Sequence, residues 1–128
     1  MQTIINDKLK QFLAIVDNDM GLATELAGIF CETIPPLLIE IRLDFEQKNL
    51  LPFTQKMHKL KGTVGYTGFT NEFTYISNLE KNAKLNSVFP SSPELRIMEN
   101  KVRGIIELFH KHIQSKPTAK RRVAVSCI

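Results

Sequence analysis

The 128-residue sequence predicts an all-α fold, an antiparallel four-helix bundle with an additional short N-terminal helix. Apolar residues recur at spacings of three and four along most of the chain, which is the period of an amphipathic helix. No alternating pattern typical of a strand extends beyond a few residues. The polar segments between the helical stretches are short, and short connections favour antiparallel neighbours. At this length the chain forms one domain with a sizeable core.

The first predicted helix is short and is expected to cover one end of the bundle. Its apolar stripe consists of Leu9, Phe12, Leu13 and Val16. Asn6 or Asp7 is placed to cap its start. Asp17-Asn18-Asp19 interrupts the pattern, so we expect the helix to end there.

The second predicted helix runs from about Leu22 to about Lys48, and Asp19 can cap it. Pro35 and Pro36 fall inside its apolar stripe. A proline removes a backbone hydrogen bond, and its ring clashes with the preceding turn of the helix. The two prolines should therefore kink this helix or split it in two, and we expect a kinked helix.

The third and fourth predicted helices follow a polar connection that ends at Asn49, which can cap the third helix. The apolar stripe of the third helix is Leu50, Phe53, Met57, Leu60 and Val64. Gly68 is placed to end this helix in a left-handed conformation. The stripe of the fourth helix is Phe69, Phe73, Ile76, Leu79 and Ala83.

The fifth predicted helix follows a loop from Asn86 to Ser92. Ser92 is expected to be its N-cap, with Pro93 at the first helical position and Glu94 in the first turn. The apolar stripe then continues through Met98, Val102, Ile105, Phe109 and His112 or Ile113. Beyond Gln114 the periodicity is lost.

The third helix has features that helix stability alone does not require. His58 lies about 100° round the helix from Met57, so its imidazole is expected at the edge of the buried face, at or near the surface. Gly62 and Gly65 follow on the same side as His58, although each costs about 1 kcal/mol relative to alanine in a helix interior. The alternative explanation is that these glycines relieve crowding between packed helices or begin the end of the helix.

The residues that follow His58 leave its ring accessible. Helical side chains lean toward the N-terminus, so a side chain at position 62 would lie over the imidazole, and Gly62 leaves that space empty. Lys61 leans the same way and can hold its ammonium near a group attached to the ring. An open imidazole beside a mobile cation suits covalent capture of a small anionic group from another protein.

This segment resembles the signature of the histidine-containing phosphotransfer (HPt) domain, His-x-x-Lys-Gly followed by small residues and a further glycine. His58, Lys61 and Gly62 match the signature. Thr63 and Val64 stand where the family usually has small residues, and Val64 is larger than expected. The resemblance spans roughly residues 6–113, is strongest from 53 to 84, and implies the same bundle architecture.

The resemblance implies that His58 is the phosphoacceptor through Nε2, that Lys61 is the phosphate-side cation, and that Gly62 gives clearance for the partner. The chain would accept a phosphoryl group from the aspartyl phosphate of a receiver domain and pass it to another receiver. The sequence has no nucleotide-binding loop and no evident acidic metal pocket near His58. We therefore expect a phosphocarrier and not an enzyme, without an intrinsic cofactor or metal. Response-regulator receivers, or a hybrid sensor histidine kinase, would be the partners and would supply Mg²⁺ and the acidic pocket.

The second ring nitrogen, Nδ1, needs a hydrogen-bond partner if the imidazole is to be held in one orientation. Thr54 and Gln55 lie one turn before the histidine, and we take Gln55 as the candidate for orienting the ring. Lys56, Lys59 and Glu80 are interpreted as solvated charges that could contribute to the surface facing the partner.

Three other interpretations compete with phosphotransfer. The main alternative is a helical interaction scaffold, or a degenerate HPt-like regulator, that binds a receiver or kinase without accepting phosphate. The second alternative is the dimerisation helix of a histidine kinase, which takes phosphate directly from ATP. Such helices have an acid directly after the histidine and a proline several residues later, whereas this sequence has Lys59 and Thr63 in those places. Glu107 and His110 have the spacing found in metal-bearing bundles, but a di-iron site needs two such motifs and two further glutamates.

The net charge of +4 comes from the last part of the chain. Residues 115–128 hold four of the 17 basic residues and none of the 13 acidic ones, so the remainder has 13 of each. A nucleic-acid-binding domain would carry a basic face on the fold itself, and we expect no such partner. We interpret residues 1–114 as the domain and residues 115–128 as a basic, flexible C-terminal tail.

Cysteine placement and hydropathy predict a cytoplasmic protein. Cys31 lies within a helical pattern and Cys127 in the tail, so a structural disulfide is not expected, which fits a reducing compartment. We find no apolar run of 18 residues and no signal-peptide core after Met1, so we expect no membrane insertion. We also expect the protein to be a monomer.

Overall fold

The computed structural model describes residues 2–114, and it describes the side chains of residues 9–113. Within residues 2–114 the chain forms five α-helices and no strand, which confirms the all-α prediction. The helices are α1 (Gln2–Ile15), α2 (Met20–Glu46), α3 (Leu50–Gly65), α4 (Thr70–Asn86) and α5 (Ser92–Gln114). The predictions for the basic tail and for Cys127 lie outside the described residues.

The helices bury their apolar stripes in one core. α3 packs against α2 and α4, α5 also packs against α2 and α4, and α1 packs against α2. Phe109 of α5 lies among three other rings, with centroid distances of 4.7 Å to Phe12, 5.2 Å to Phe30 and 5.8 Å to Phe69. These contacts join α1, α2 and the start of α4 to α5.

The start of α1 differs from the prediction. The helix begins at Gln2, so Asn6 and Asp7 lie inside it and the predicted cap is wrong. It ends at Ile15, just before the polar segment where we expected it to stop.

The turn between α1 and α2 agrees with its sequence. Asp17 and Asn18 both have a φ of 59°, a conformation that breaks a right-handed helix and that Asp and Asn adopt more readily than most residues. Asp19 is the N-cap of α2, and its carboxylate accepts a hydrogen bond from the Leu22 N–H at 3.0 Å. The predicted cap of the second helix is therefore confirmed.

α2 continues through both prolines as one helix of 27 residues, which excludes the alternative of a split helix, while the expected kink stays a prediction. Pro35 and Pro36 each lack the N–H that would bond four residues back. The neighbouring side chains of Ile34, Leu37 and Leu38 are buried. Their packing offsets the missing backbone hydrogen bonds and keeps the segment helical.

α2 is also long and apolar enough to cross a membrane, by length and composition alone. Half of the apolar window is buried inside the protein, and the core helix of a soluble protein passes the same test. The absence of membrane insertion therefore stays a prediction.

The turn between α3 and α4 contains a left-handed glycine. α3 ends at Gly65, and Gly68 lies three residues further on with a φ of +78°. A Cβ on Gly68 would lie 3.0 Å from the carbonyl oxygen of Gln11 and 3.1 Å from Ile15 Cγ1. Glycine is thus required here for two reasons, the backbone conformation and the close approach of α1.

α5 begins one position before the predicted start. The Glu94 N–H donates to Ser91 Oγ at 3.2 Å, and the Ser91 N–H donates to Glu94 Oε1 at 2.8 Å. This reciprocal pair is a capping box. Ser91 therefore caps the helix, the prediction for Ser92 is wrong by one residue, and Pro93 occupies the second helical position.

Candidate functional site

α3 presents His58 at the surface. The side chain is 64% exposed, whereas Met57 and Leu60 on either side are fully buried. The position agrees with the expected rotation of about 100° per residue away from the buried stripe. The imidazole is accessible to another protein.

Glu80 of α4 holds the imidazole in one orientation. Its Oε2 lies 3.0 Å from His58 Nδ1, and the Glu80 side chain is only 3% exposed. An ionised carboxylate can only accept hydrogen bonds, so the shared proton belongs to Nδ1. In the neutral ring this leaves the lone pair on Nε2, the nitrogen that Glu80 does not hold.

Two lysines complete what we call the Glu80 cluster, which consists of Glu80, His58, Lys61 and Lys84. Lys61 Nζ lies 2.9 Å from Glu80 Oε1, and Lys84 Nζ lies 3.3 Å from Glu80 Oε2. Burial alone would raise the pKa of Glu80, but hydrogen bonds from Lys61, His58 and Lys84 outweigh it and hold this pKa below its usual value. The carboxylate is therefore ionised at neutral pH, as the assignment of the proton to Nδ1 requires.

The prediction that Gln55 orients the imidazole is wrong. Gln55 is exposed, and within residues 9–113 the only side chain bonded to Nδ1 is Glu80. Thr54, the other residue considered, is buried and donates its hydroxyl to the Leu51 carbonyl oxygen at 2.9 Å. The partner of Nδ1 comes from the neighbouring helix α4 and not from the preceding turn of α3.

The interpretation of Glu80 as a solvated charge is also wrong, because the residue is buried. The sequence does contain a signal for it. Glu80 lies four residues after Ile76 and three before Ala83, both of which are buried. A carboxylate at a position of an apolar stripe needs a partner when it is buried, and the only question is which residue supplies it.

Lys56 and Lys59, the two lysines of α3 nearest to His58 on its N-terminal and C-terminal sides, differ in their surroundings. Lys59 is exposed, in agreement with its interpretation as a solvated charge. Lys56 is not solvated in that sense, because its Nζ lies 2.7 Å from Oδ2 of the buried Asp44. Lys56 therefore connects α3 to α2 and is not a free part of the surface beside His58.

The structure gives different explanations for the glycines at positions 62 and 65. A Cβ on Gly62 would meet no atom within 4 Å, so nothing inside the described protein requires glycine there. A Cβ on Gly65 would lie 3.2 Å from Phe73 Cε1, which is tighter than ordinary packing. Gly65 thus fits the explanation by crowding between helices, whereas Gly62 does not.

The role predicted for Lys61, a cation beside the phosphoryl group, stays a prediction. Lys61 is one turn after His58 on α3, and its ammonium reaches the same carboxylate as the ring does. Beside the cluster lies an open cleft of about 300 Å³, lined by Lys61, Ser77, Glu80, Lys81, Lys84 and Leu85. The surface next to the ring is therefore predominantly basic.

Metal ligands do not cluster in the described part of the chain. Among these residues no group of three His, Cys, Asp or Glu side chains is placed to hold a metal ion. Glu107 and His110, the pair with metal-site spacing, accordingly have no third such ligand near them among the residues described.

No protein-family model, curated protein or solved structure matches the chain. The functional interpretation therefore depends on the geometry around His58 and on the sequence signature that contains it.

Proposed function

We propose that this chain is a phosphocarrier of the HPt type. His58 Nε2 accepts a phosphoryl group from the aspartyl phosphate of a receiver domain and passes it to another receiver. The proposal depends above all on one contact, the hydrogen bond between His58 Nδ1 and the buried Glu80 carboxylate. This contact leaves the other nitrogen of an exposed ring as the nucleophile.

We infer that α2, α3, α4 and α5 form an antiparallel four-helix bundle of the HPt kind, with α1 over one end. Each of the four packs against two others, which supports a closed arrangement. Arg42 pairs with Glu99, and Thr24 contacts His112. Positions that rise along α2 thus meet positions that fall along α5, as expected for antiparallel helices.

In the proposed step the Nε2 lone pair attacks the phosphorus of the aspartyl phosphate. The N–P bond forms while the P–O bond to the aspartyl carboxyl group breaks, and the aspartate leaves as a carboxylate. No proton has to leave Nε2, because the neutral ring carries its proton on Nδ1. Transfer to the next receiver is the same step in reverse.

The Glu80 cluster stabilises the charge that this step creates. Phosphorylation at Nε2 makes the ring positively charged, and the Glu80 carboxylate lies 3.0 Å from Nδ1. Lys61, whose Nζ lies 2.9 Å from the same carboxylate that holds the ring, is the candidate for the predicted phosphate-side cation. The cluster thus offers a negative charge for the ring and positive charges for the phosphoryl oxygens.

The partner receiver would supply the remaining parts of the reaction. Phosphoryl transfer depends on positioning and on charge stabilisation, usually with Mg²⁺. We assign the Mg²⁺ and the acidic pocket to the receiver, and we take this chain as a cytoplasmic monomer that is not itself an enzyme and binds neither nucleic acid nor membrane.

The decisive experiment measures phosphate transfer to the protein from a phosphorylated receiver. We expect label that is lost in acid and survives base, as a phosphoramidate does. His58→Gln should abolish this label. His110→Gln, which changes a half-buried histidine of α5, should leave the label unchanged. Label that persists in His58→Gln would refute the assignment. A wild-type protein that binds phosphorylated receivers tightly without gaining label would instead favour the interaction scaffold.

A further inference from the structure

The outer face of α2, a different helix from the one that carries His58, exposes a row of apolar side chains. The row is spaced at intervals of seven residues, or about two helical turns, and consists of Leu22, Ile29, Pro36 and Leu43. The three aliphatic members are between 41% and 46% exposed. Exposed apolar side chains thus recur on one face along most of this helix of 27 residues, which makes the face a candidate interaction surface.

The exposed charges that α2 itself carries on this face are all negative. Glu25, Glu32 and Glu40 are exposed on the same outer face and form no ion pair with any other described residue. Arg42 is the single basic residue of α2, and it is already held by Glu99 through contacts of 3.0 Å and 2.7 Å. An occupant complementary to this face would therefore be both apolar and basic.

We propose that residues 115–128 of this same chain dock on the outer face of α2. This segment carries Lys116, Lys120, Arg121 and Arg122 without any acid, and the three residues that follow, 123–125, are Val-Ala-Val. Its basic residues match the glutamate row, and its apolar residues match the aliphatic row. The proposal does not depend on phosphotransfer at His58.

The geometry of α5 places the beginning of this segment at the correct end of α2. His112, two residues before the end of α5, lies 3.5 Å from Thr24 near the start of α2. Fourteen residues can span at most about 46 Å when extended. α2 is about 40 Å long, so the segment can reach all three glutamates.

Other faces and other occupants fit less well. The surface beside His58 carries Lys59, Lys61, Lys81 and Lys84 and would repel a basic segment. A second copy of the chain, packed face to face through α2, would oppose one glutamate row to another. Electrostatic complementarity therefore favours the chain's own basic segment.

The test uses the full chain with a nitroxide spin label on Cys127. Cys31 is buried, so labelling is selective, and a Cys127→Ser variant verifies this. We expect loss of amide NMR signal intensity along the outer face of α2, from about Leu22 to Glu40, and little loss on α3 and α4. Equal loss on all helices, or loss centred on α3 and α4, would overturn the proposal.

A charge-reversal series tests the electrostatic part. Lys120→Glu, Arg121→Glu and Arg122→Glu together should restore the α2 signals, and Glu25→Lys, Glu32→Lys and Glu40→Lys added to them should weaken the signals again. About 1 M salt, where the Debye length is about 3 Å, should act like the tail reversal. If labelled protein broadens the signals of unlabelled, isotope-enriched protein to the same extent, the contact is between copies and the proposal of docking within one chain is wrong.

Discussion

At the scale of single residues, the most informative one is the buried carboxylate of Glu80. An ionised carboxylate without partners inside a protein costs several kcal/mol. Glu80 has His58, Lys61 and Lys84 within 3.3 Å, so its charge is compensated. Its Oε2 lies 3.0 Å from His58 Nδ1, so the carboxylate also determines which ring nitrogen carries the proton.

Replacing Glu80 by glutamine should slow phosphotransfer to His58 while the protein stays folded. A hydrogen bond with a charged partner contributes about 1.5–3 kcal/mol, so the loss corresponds to about a tenfold to hundredfold lower rate. Nitrogen NMR of the ring should show the second tautomer in addition. Glu99→Gln, which removes a carboxylate that binds Arg42, is the control and should leave the rate unchanged. An unaltered rate in Glu80→Gln would separate Glu80 from the chemistry.

The role of Gly62 can be tested against a matched control, because Gly104 of α5 is a glycine in equally open surroundings. Neither has any atom within 4 Å of an added Cβ. Replacing either by leucine should raise the free energy of unfolding by up to about 1 kcal/mol, since glycine is a poor helix former. Only Gly62→Leu should slow transfer from the receiver, because its side chain leans back over His58. Equal transfer rates in the two variants would show that Gly62 provides no clearance.

At the scale of helices, the ends of the elements are decided by particular hydrogen bonds. Ser91 and Ser92 both precede an acid and a proline, and both are plausible caps by composition. Only Ser91 has the spacing that lets Glu94 return a hydrogen bond to it, and that exchange is observed. The start of α5 therefore depends on which serine lies three residues before the glutamate.

Ser91→Ala should lower the free energy of unfolding by about 1 kcal/mol, the usual cost of losing an N-cap. Ser92→Ala should change it by much less, since Ser92 is the first residue inside the helix. Urea unfolding of the two variants measures the difference. The same loss in both would return the cap to the position that the sequence first suggested.

At the scale of the whole molecule, the helices share one core, so a local change affects the stability of all of them. Phe109 alone contacts rings from three other parts of the chain. Helices that share one core in a chain of this size are expected to unfold in one cooperative transition. The Glu80 cluster, which joins α3 to α4, therefore contributes to the global free energy of unfolding.

Because of this contribution, the free energy of unfolding should depend on pH in the acidic range. The pKa of Glu80 is lower in the folded protein than in the unfolded chain, because the hydrogen bonds to Lys61, His58 and Lys84 outweigh the effect of burial. Its stabilisation is complete above the unfolded pKa of about 4.3 and is lost as the pH falls through the folded pKa. Glu80→Gln should therefore show a shallower fall in unfolding free energy below that pH. Parallel curves for the two proteins, measured by denaturant titration, would contradict this.

The sequence was sufficient for the number and order of the helices within residues 2–114 and for the exposure of His58, but not for the surroundings of the ring. The spacing of Met57, Leu60 and Val64 determines which side of α3 is buried, and hence that position 58 is exposed. The partner of the ring lies 22 residues away on another helix, and a pattern along one helix cannot identify it. Likewise Gly65 differs from Gly62 only through the position of Phe73, which depends on how α3 and α4 pack.

The hydrogen bond between His58 and Glu80 links reactivity to the alignment of two helices. The two residues stand on α3 and α4, and their atoms are 3.0 Å apart. Sliding one helix past the other by a single residue would move them about 1.5 Å, enough to break a bond of this length. Substitutions deep in the α3–α4 interface should thus alter the preferred tautomer of the His58 ring, even when the substituted side chain does not contact the ring. The imidazole therefore reports on the relative position of α3 and α4.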